Sequence, residues 1–287
     1  MANRSRAVPG NAPGAFFVDS TCIDCDVCRL LAPAVFGSGR DTSIVAHQPT
    51  TFESHREAAR ALLSCPVGAI GSDATIDVRS ARADFPLKIA DSVYFCGFSS
   101  PDSYGATSYF LVHPEGNWMI DSPRYSPHLV DAFRSMGGVQ RIFLTHRDDV
   151  ADADRYAAAF GAKRYIHAEE RGAQPGAECV FEGDKPVPVA HEITIVPTPG
   201  HTRGHAVMHV ANRYLFSGDH VWWSRTKHQL SASRSVCWYS WSHQTESMVR
   251  VSELSFEWVF PGHGEWIHLS PAEKSGQFLD LIRRMRS

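Results

Sequence analysis

From residue 89 onward, apolar residues come in short runs closed by turn residues: SVYFCGF, TSYFLVH, NWMIDS, RIFLTH, RYIH, HEITIVP, AVMHV, NRYLFSGDH and WVFPGHG. Runs of that length, rich in aromatic and β-branched residues, predict strands. Between them, apolar positions spaced by three and four predict helices over 127–136, 150–160, 242–254 and 272–284. Strands with helices interspersed predict an α/β domain of about 200 residues. The upstream pattern is different. A short strand at 15–18, a helix at 52–63 and a returning strand at 75–78 frame a small α+β unit. Residues 1–14, mostly Pro, Gly, Asn and Ala with two Arg, read as a flexible tail. The expected organisation is therefore a tail over 1–14, a small domain over 15–80 and a large domain over 86–287, with no internal repeat.

The chain has 287 residues, 43% hydrophobic and 21% charged, which excludes disorder and leaves ample material for a packed core. Its 28 Lys and Arg against 31 Asp and Glu give a formal charge of -3, so no global positive field gathers nucleic acid or an anionic membrane. No apolar run reaches the roughly 18 residues a membrane span needs. The start, MANRSRAVPGNAPGAFF, lacks the apolar core of a secretory signal. The cytoplasm is the expected compartment, and thiols stay reduced there. Seven Cys and fifteen His then change the picture, because four Cys fall between 22 and 65 while thirteen His lie beyond 86. Soft donors gathered in different halves point to two metal centres rather than a disulfide framework.

Cys22, Cys25 and Cys28 form C-x2-C-x2-C, and Cys65 follows directly before Pro66. Three thiolates on one tight loop plus a remote fourth suit a cubane cluster. Zinc would more naturally use two separated C-x2-C pairs, and a disulfide set does not fit a reduced compartment. The segments CIDCDVCRLLAPAVF and LLSCPVGAI resemble a single-cluster bacterial ferredoxin. The resemblance implies one [4Fe-4S] cluster held by Cys22, Cys25, Cys28 and Cys65, with electron transfer; a structural cluster is the competing reading. Over 15–80, eight acidic residues outnumber five Arg, and an acidic surround favours a low potential. Cys96, Cys179 and Cys237 carry no spacing signal.

In the large domain LTHRDD, TPGHTRGH, FSGDH and PGHGE each put His or Asp where a predicted strand ends, which nominates His146, Asp148, His201, Asp219 and His263. Strand ends on one sheet edge converge on one surface, where a rigid scaffold can hold a metal site. IDSP, with Asp121, and the TH, PGHTRGH, SGDH and PGHG segments resemble the metallo-β-lactamase superfamily over roughly 86–268. The resemblance implies an αββα sandwich with His146 and His201 on a first metal, Asp219 bridging and His263 on a second. The chain departs from the superfamily's H-x-H-x-D-H motif. The second His is Asp148, and the final Asp-His pair is Val150 and Ala151. His146, Asp148, His201 and Asp219 remain as a complete mixed set for one Zn or Fe ion, and the second position keeps only His263 and a shared Asp219, so a second metal is expected to bind weakly or not at all. Asp149 and Asp152 read as charges at the next helix's start, with recruitment of either toward the vacant second position as the competing reading. His205 and His220 adjoin the ligand segments and read either as residues that support the ligands or contact substrate, or as plain structural His. The Trp-rich stretch 220–241 is either a pocket wall or a packed core helix.

Two activities compete. A metal-dependent hydrolase of ester, thioester, lactone or phosphoester substrates would use the metal to acidify water and polarise the oxygen, with Asp219 or Asp148 handling the proton. A redox enzyme would instead feed electrons from the cluster to a mononuclear non-haem iron, and a redox sensor with a degenerate hydrolase domain is its variant. Hydrolysis leads because the resemblance favours it. A small-molecule substrate and a redox partner for the cluster domain are the expected partners.

Overall fold

The computed structural model describes residues 2–287, which divide by contact into two units. One comprises 2–110 with 123–138, and the other 111–122 with 139–287.

In the first unit the strand Phe16–Val18, buried at all three positions, pairs antiparallel with Ile70–Ser72, Phe16 facing Ser72. The returning strand thus lies upstream of the expected 75–78. That stretch instead leads into a helix, Val78–Ala83, which starts where the Asp77 carboxylate accepts a hydrogen bond from Ser80 N at 3.0 Å. Asp is a strong N-cap and a poor strand residue, and here that local chemistry wins. A second hairpin pairs Phe36–Ser38 with Ser43–Val45. The helix Phe52–Ser64 opens on a capping box between Thr51 and Ser54 and delivers Cys65 at its C-terminus. Residues 2–14 are not the loose tail their composition suggests. The Asn11 carboxamide bonds to Val8 O, Val18 N, Val18 O and Val45 N, and Arg4 lies over the Phe17 ring. A Pro and Gly-rich segment stays put when its side chains satisfy backbone groups of the neighbouring strands.

In the second unit four parallel strands, Trp118–Ile120, Arg141–Phe143, Lys163–His167 and Cys179–Phe181, lie side by side in that order. A six-stranded sheet runs Val187–Ala190, Ile193–Pro197, Ala206–Val210, Tyr214–Gly218, Trp258–Pro261 and Ile267–His268. Its one parallel pair is Tyr214–Gly218 with Trp258–Pro261. Apolar side chains of this sheet, among them Val207, Leu215 and Val259, pack against Met248 and Val251 of the helix Trp241–Glu253 and Phe278 and Leu281 of the helix Pro271–Arg286. Burial of that apolar surface stabilises the unit at roughly 25 cal/mol per Å². The stretch 220–241 is not a core helix: Trp222–Ser224 and Gln229–Ser231 form a hairpin, followed by a short 3-10 turn at Arg234–Val236. Among the described residues no helix is long and apolar enough to cross a membrane.

Candidate metal centre and cluster site

Four strand ends of the second unit meet. Asp121 follows Trp118–Ile120, His146 follows Arg141–Phe143, Asp219 follows Tyr214–Gly218 and His263 follows Trp258–Pro261. His201 sits in the loop joining Pro197 to Ala206, which face each other in the register, and Ala206 N donates to Thr145 O at 2.9 Å. Since Gly218 pairs in parallel with Pro261, Asp219 and His263 emerge side by side.

The Nε2 atoms of His146 and His201 both face Oδ2 of Asp148, at 3.7 and 3.8 Å, and Oδ2 of Asp219, at 3.8 and 3.6 Å. These separations are too long for hydrogen bonds. They suit donors that each stand about 2.0–2.2 Å from one shared ion. Neither Nε2 has a hydrogen-bond partner among the described residues, although both rings are buried. Orphaned buried acceptors of this kind fit a metal. His263 Nε2 lies 3.9 Å from Asp219 Oδ2, and so approaches the site from the other strand.

Protonation states agree with this fit. Burial pushes His146 down to about 4, which keeps its imidazole neutral. His201, close to Asp148, holds that carboxylate below its ordinary range, and burial alone would raise Asp219, but His263, His146 and His201 pull it down. Two imidazole nitrogens and two carboxylates make an N2O2 set, and as metal ligands such groups match a divalent ion.

Thr145 sets the His146 tautomer. Its backbone N and its hydroxyl both donate to Asp121, at 2.8 and 3.0 Å, so the hydroxyl oxygen accepts from His146 Nδ1 at 3.0 Å. The Nε2 lone pair is thereby left facing the other donors. Asp121 holds a left-handed backbone at φ 54°, and burial pushes its carboxyl up to about 8. Glu170 ties the two His loops together: it accepts from Gly204 N at 2.6 Å and from Arg147 Nε at 2.5 Å. Asp149 does not cap the following helix as expected. It is 1% exposed and grouped with His146 and Asp219, whereas Asp152 pairs with Arg155 at 3.3 Å. His205, with Nδ1 on the Thr198 hydroxyl at 2.8 Å, and His220, which burial pushes down to about 3, stack on each other behind the donors.

In the first unit the four sulfurs of Cys22, Cys25, Cys28 and Cys65 line one small pocket with Val18, Val27 and Ile70. Asp24 and Asp26 take left-handed backbone at φ 56° and 71°, which curls the loop, and Arg29 clamps it through Asp24 at 2.7 Å, Asp26 and the Ser43 hydroxyl. Backbone N–H groups aim at sulfur: Ser43 at Cys22, 3.4 Å, and Ala69 at Cys65, 3.2 Å. Burial pushes the Cys25 and Cys28 thiols up to about 12, so stable thiolates there need iron to compensate them. Gly105 closes over this loop with φ 85°, and a Cβ on it would stand 2.8 Å from Cys25 Sγ. Gly105→Ala is expected to destabilise the cluster unit by about 1–3 kcal/mol through strain and overlap and to lower the iron content after reconstitution; native iron content in that variant would count against the contact.

Residues 18–72 match the 4Fe-4S single cluster domain of Ferredoxin I. Among solved structures, the BLEG-1 B3 metallo-β-lactamase aligns with a TM-score of 0.53 at 18% identity, over 68% of this chain and 100% of that one. DIM-1 metallo-β-lactamase gives 0.52 at 17% identity, over 67% and 95%. The chain carries the metallo-β-lactamase fold. Curated relatives that match are hydroxyacylglutathione hydrolases of Rhizobium etli, 33% identical over 141 residues, and Rhizobium johnstonii, 32% identical over 141 residues. The chain spans about half the length of these relatives, 52% in each case, and they cover 47% of it.

Within this metallo-β-lactamase fold the five nominated residues lie together, His263 at the margin. Thr145, Glu170 and Gly204 gave no chemical signal of their own, although TH and PGHTRGH contain two of them. Thr145→Val removes the hydroxyl between Asp121 and His146 while keeping its volume. It is expected to weaken Zn²⁺ binding about 10- to 100-fold, read by calorimetric titration; an unchanged Kd would exclude the orienting role.

Proposed function

We propose that this chain is a metal-dependent hydrolase acting on thioesters, joined to a [4Fe-4S] electron-transfer domain. The convergence of His146, Asp148, His201 and Asp219 on one point, with both Nε2 atoms left without partners, carries the reading. The hydroxyacylglutathione hydrolase relatives supply the substrate class, a thioester of a small thiol. The sites fit one Zn or Fe ion and one cluster on Cys22, Cys25, Cys28 and Cys65.

A divalent ion on this set would supply Lewis-acid polarisation of the carbonyl oxygen and acidify water. The protein does the rest. Thr145 and Asp121 fix the His146 ring, and Glu170 with Arg147 fixes the spacing of the two His loops. Asp148, 48% exposed and ionised, is the carboxylate on the solvent side; we assign its Oδ1 as acceptor of the proton from the attacking water, for return to the departing thiolate. Trp238 and Tyr239 donate their backbone N–H groups to His201 O at 2.8 and 3.1 Å, and Trp238 is 66% exposed. These rings offer an apolar surface beside the donors for the acyl or thiol portion.

A second reading draws on the same donor set, because two His with carboxylates also suit non-haem iron, fed by the cluster through a redox partner. Anaerobic purification with metal analysis and a thioester assay tests both. About one zinc beside four cluster irons, with thiol release from an S-acyl glutathione, supports the hydrolase. A fifth iron whose paramagnetic signal changes on reducing the cluster, without thiol release, would replace it with the redox reading.

A further inference from the structure

The motif loses two donors at Val150 and Ala151, yet the same loop brings another carboxylate inward. We propose that Asp149, Asp219 and His263 form a second divalent-cation position, with Asp219 shared between two ions. This rests on the metal-centre reading above.

Asp149 is 1% exposed, and neither of its carboxylate oxygens has a hydrogen-bond partner among the described residues. The same holds for Asp219 Oδ1, while Asp219 Oδ2 is the atom that faces the imidazoles. The two oxygens of Asp219 thus look different ways. Leaving a buried carboxylate without a donor or cation is costly. Nor is His146 the missing partner of Asp149: its Nδ1 stands 4.0 Å from Asp149 Oδ2 and already donates to Thr145. A single point next to the Gly262 Cα, where a Cβ would sit, is 2.7 Å from both Asp149 Oδ2 and Asp219 Oδ1. Ligand atoms of His146, Asp149 and Asp219 lie within 4.8 Å of one another, and His263, the residue after Gly262, brings its Nε2 to 3.9 Å from Asp219 Oδ2.

The geometry puts two carboxylate oxygens, Asp149 Oδ2 and Asp219 Oδ1, within reach of one point beside Gly262. The second set has two carboxylates and one imidazole, so it is harder than the first and suits Mn²⁺ or Fe²⁺ better than a thiophilic ion. The departure from the motif then moves the second position by one residue in sequence instead of deleting it.

The test titrates Mn²⁺ into the full chain with its cluster intact and oxidised, reading bound metal by elemental analysis and spin coupling by paramagnetic resonance. The native chain is expected to take up two equivalents, with an exchange-coupled spectrum from the shared Asp219. Asp149→Asn, close to isosteric, is expected to keep the tighter equivalent as an uncoupled six-line signal and to lose at least about tenfold in affinity for the other. Gly262→Ala, which places a methyl between the two oxygens, is expected to do the same by a different route. One equivalent in the native chain at saturating Mn²⁺, or two coupled equivalents in both variants, overturns the proposal and leaves the first centre standing. No bound Mn²⁺ at all overturns this proposal and the metal-centre reading together.

Discussion

His201→Ala combined with Asp219→Ala is expected to strip the metal from the large unit and to lower thioester hydrolysis by more than about 10³-fold, because a Lewis acid supplies several kcal/mol at the transition state and each 1.4 kcal/mol is tenfold. The two residues face each other at 3.6 Å and come from different loops, so together they remove one nitrogen and one oxygen of the N2O2 set. His146 and Asp148, 3.7 Å apart, are left as a pair too few to hold an ion firmly. Both truncations also relieve buried polar atoms that have no partners without metal. The apolar layer between the six-stranded sheet and the two C-terminal helices is untouched, so the folded circular dichroism spectrum should persist. Native metal content in the double variant would remove the centre from these residues altogether.

Cys28→Ala with Cys65→Ala is expected to abolish cluster uptake and to loosen the first unit. Cys28 lies on the helix Val27–Leu31 and Cys65 ends the helix Phe52–Ser64, so the cluster would join a tight loop to a segment 37 residues away. The apolar material around the sulfurs is mostly small aliphatic side chains such as Val18, Val27 and Ala69, and a small unit of that kind draws much of its folding free energy from bound metal. Iron and acid-labile sulfide analysis, with limited proteolysis of the region 15–80, measures the effect. Proteolytic resistance equal to the native protein would mark the cluster as dispensable to the fold.

The large-domain strands were legible because strands in a buried sheet carry apolar runs bounded by Gly, Pro and Asp, and the donors were legible because His and Asp recur at the ends of those runs. The shift of the returning strand from 75–78 to Ile70–Ser72 was not legible. Ile70, Gly71 and Ser72 have no alternating pattern, and their strand exists because Phe16–Val18 offers a partner across the unit. Asp149 was misread for a related reason. Next to a helix start, an Asp has the same sequence signature whether it caps the helix or turns inward, and burial decides between them. Thr145 and Glu170 act through hydrogen bonds to residues far along the chain, at separations of 24 and 34 positions for Asp121 and Gly204. No local pattern records those.

Gly105 bears on how the protein can be taken apart. The family match ends at residue 72, but the cluster loop is roofed by a residue 33 positions further on. A ferredoxin cut at that boundary would leave Cys25 facing solvent and dioxygen. Any transplant of the cluster module into another enzyme must therefore carry the chain through Gly105, and recombination near residue 80 would yield a module that rusts.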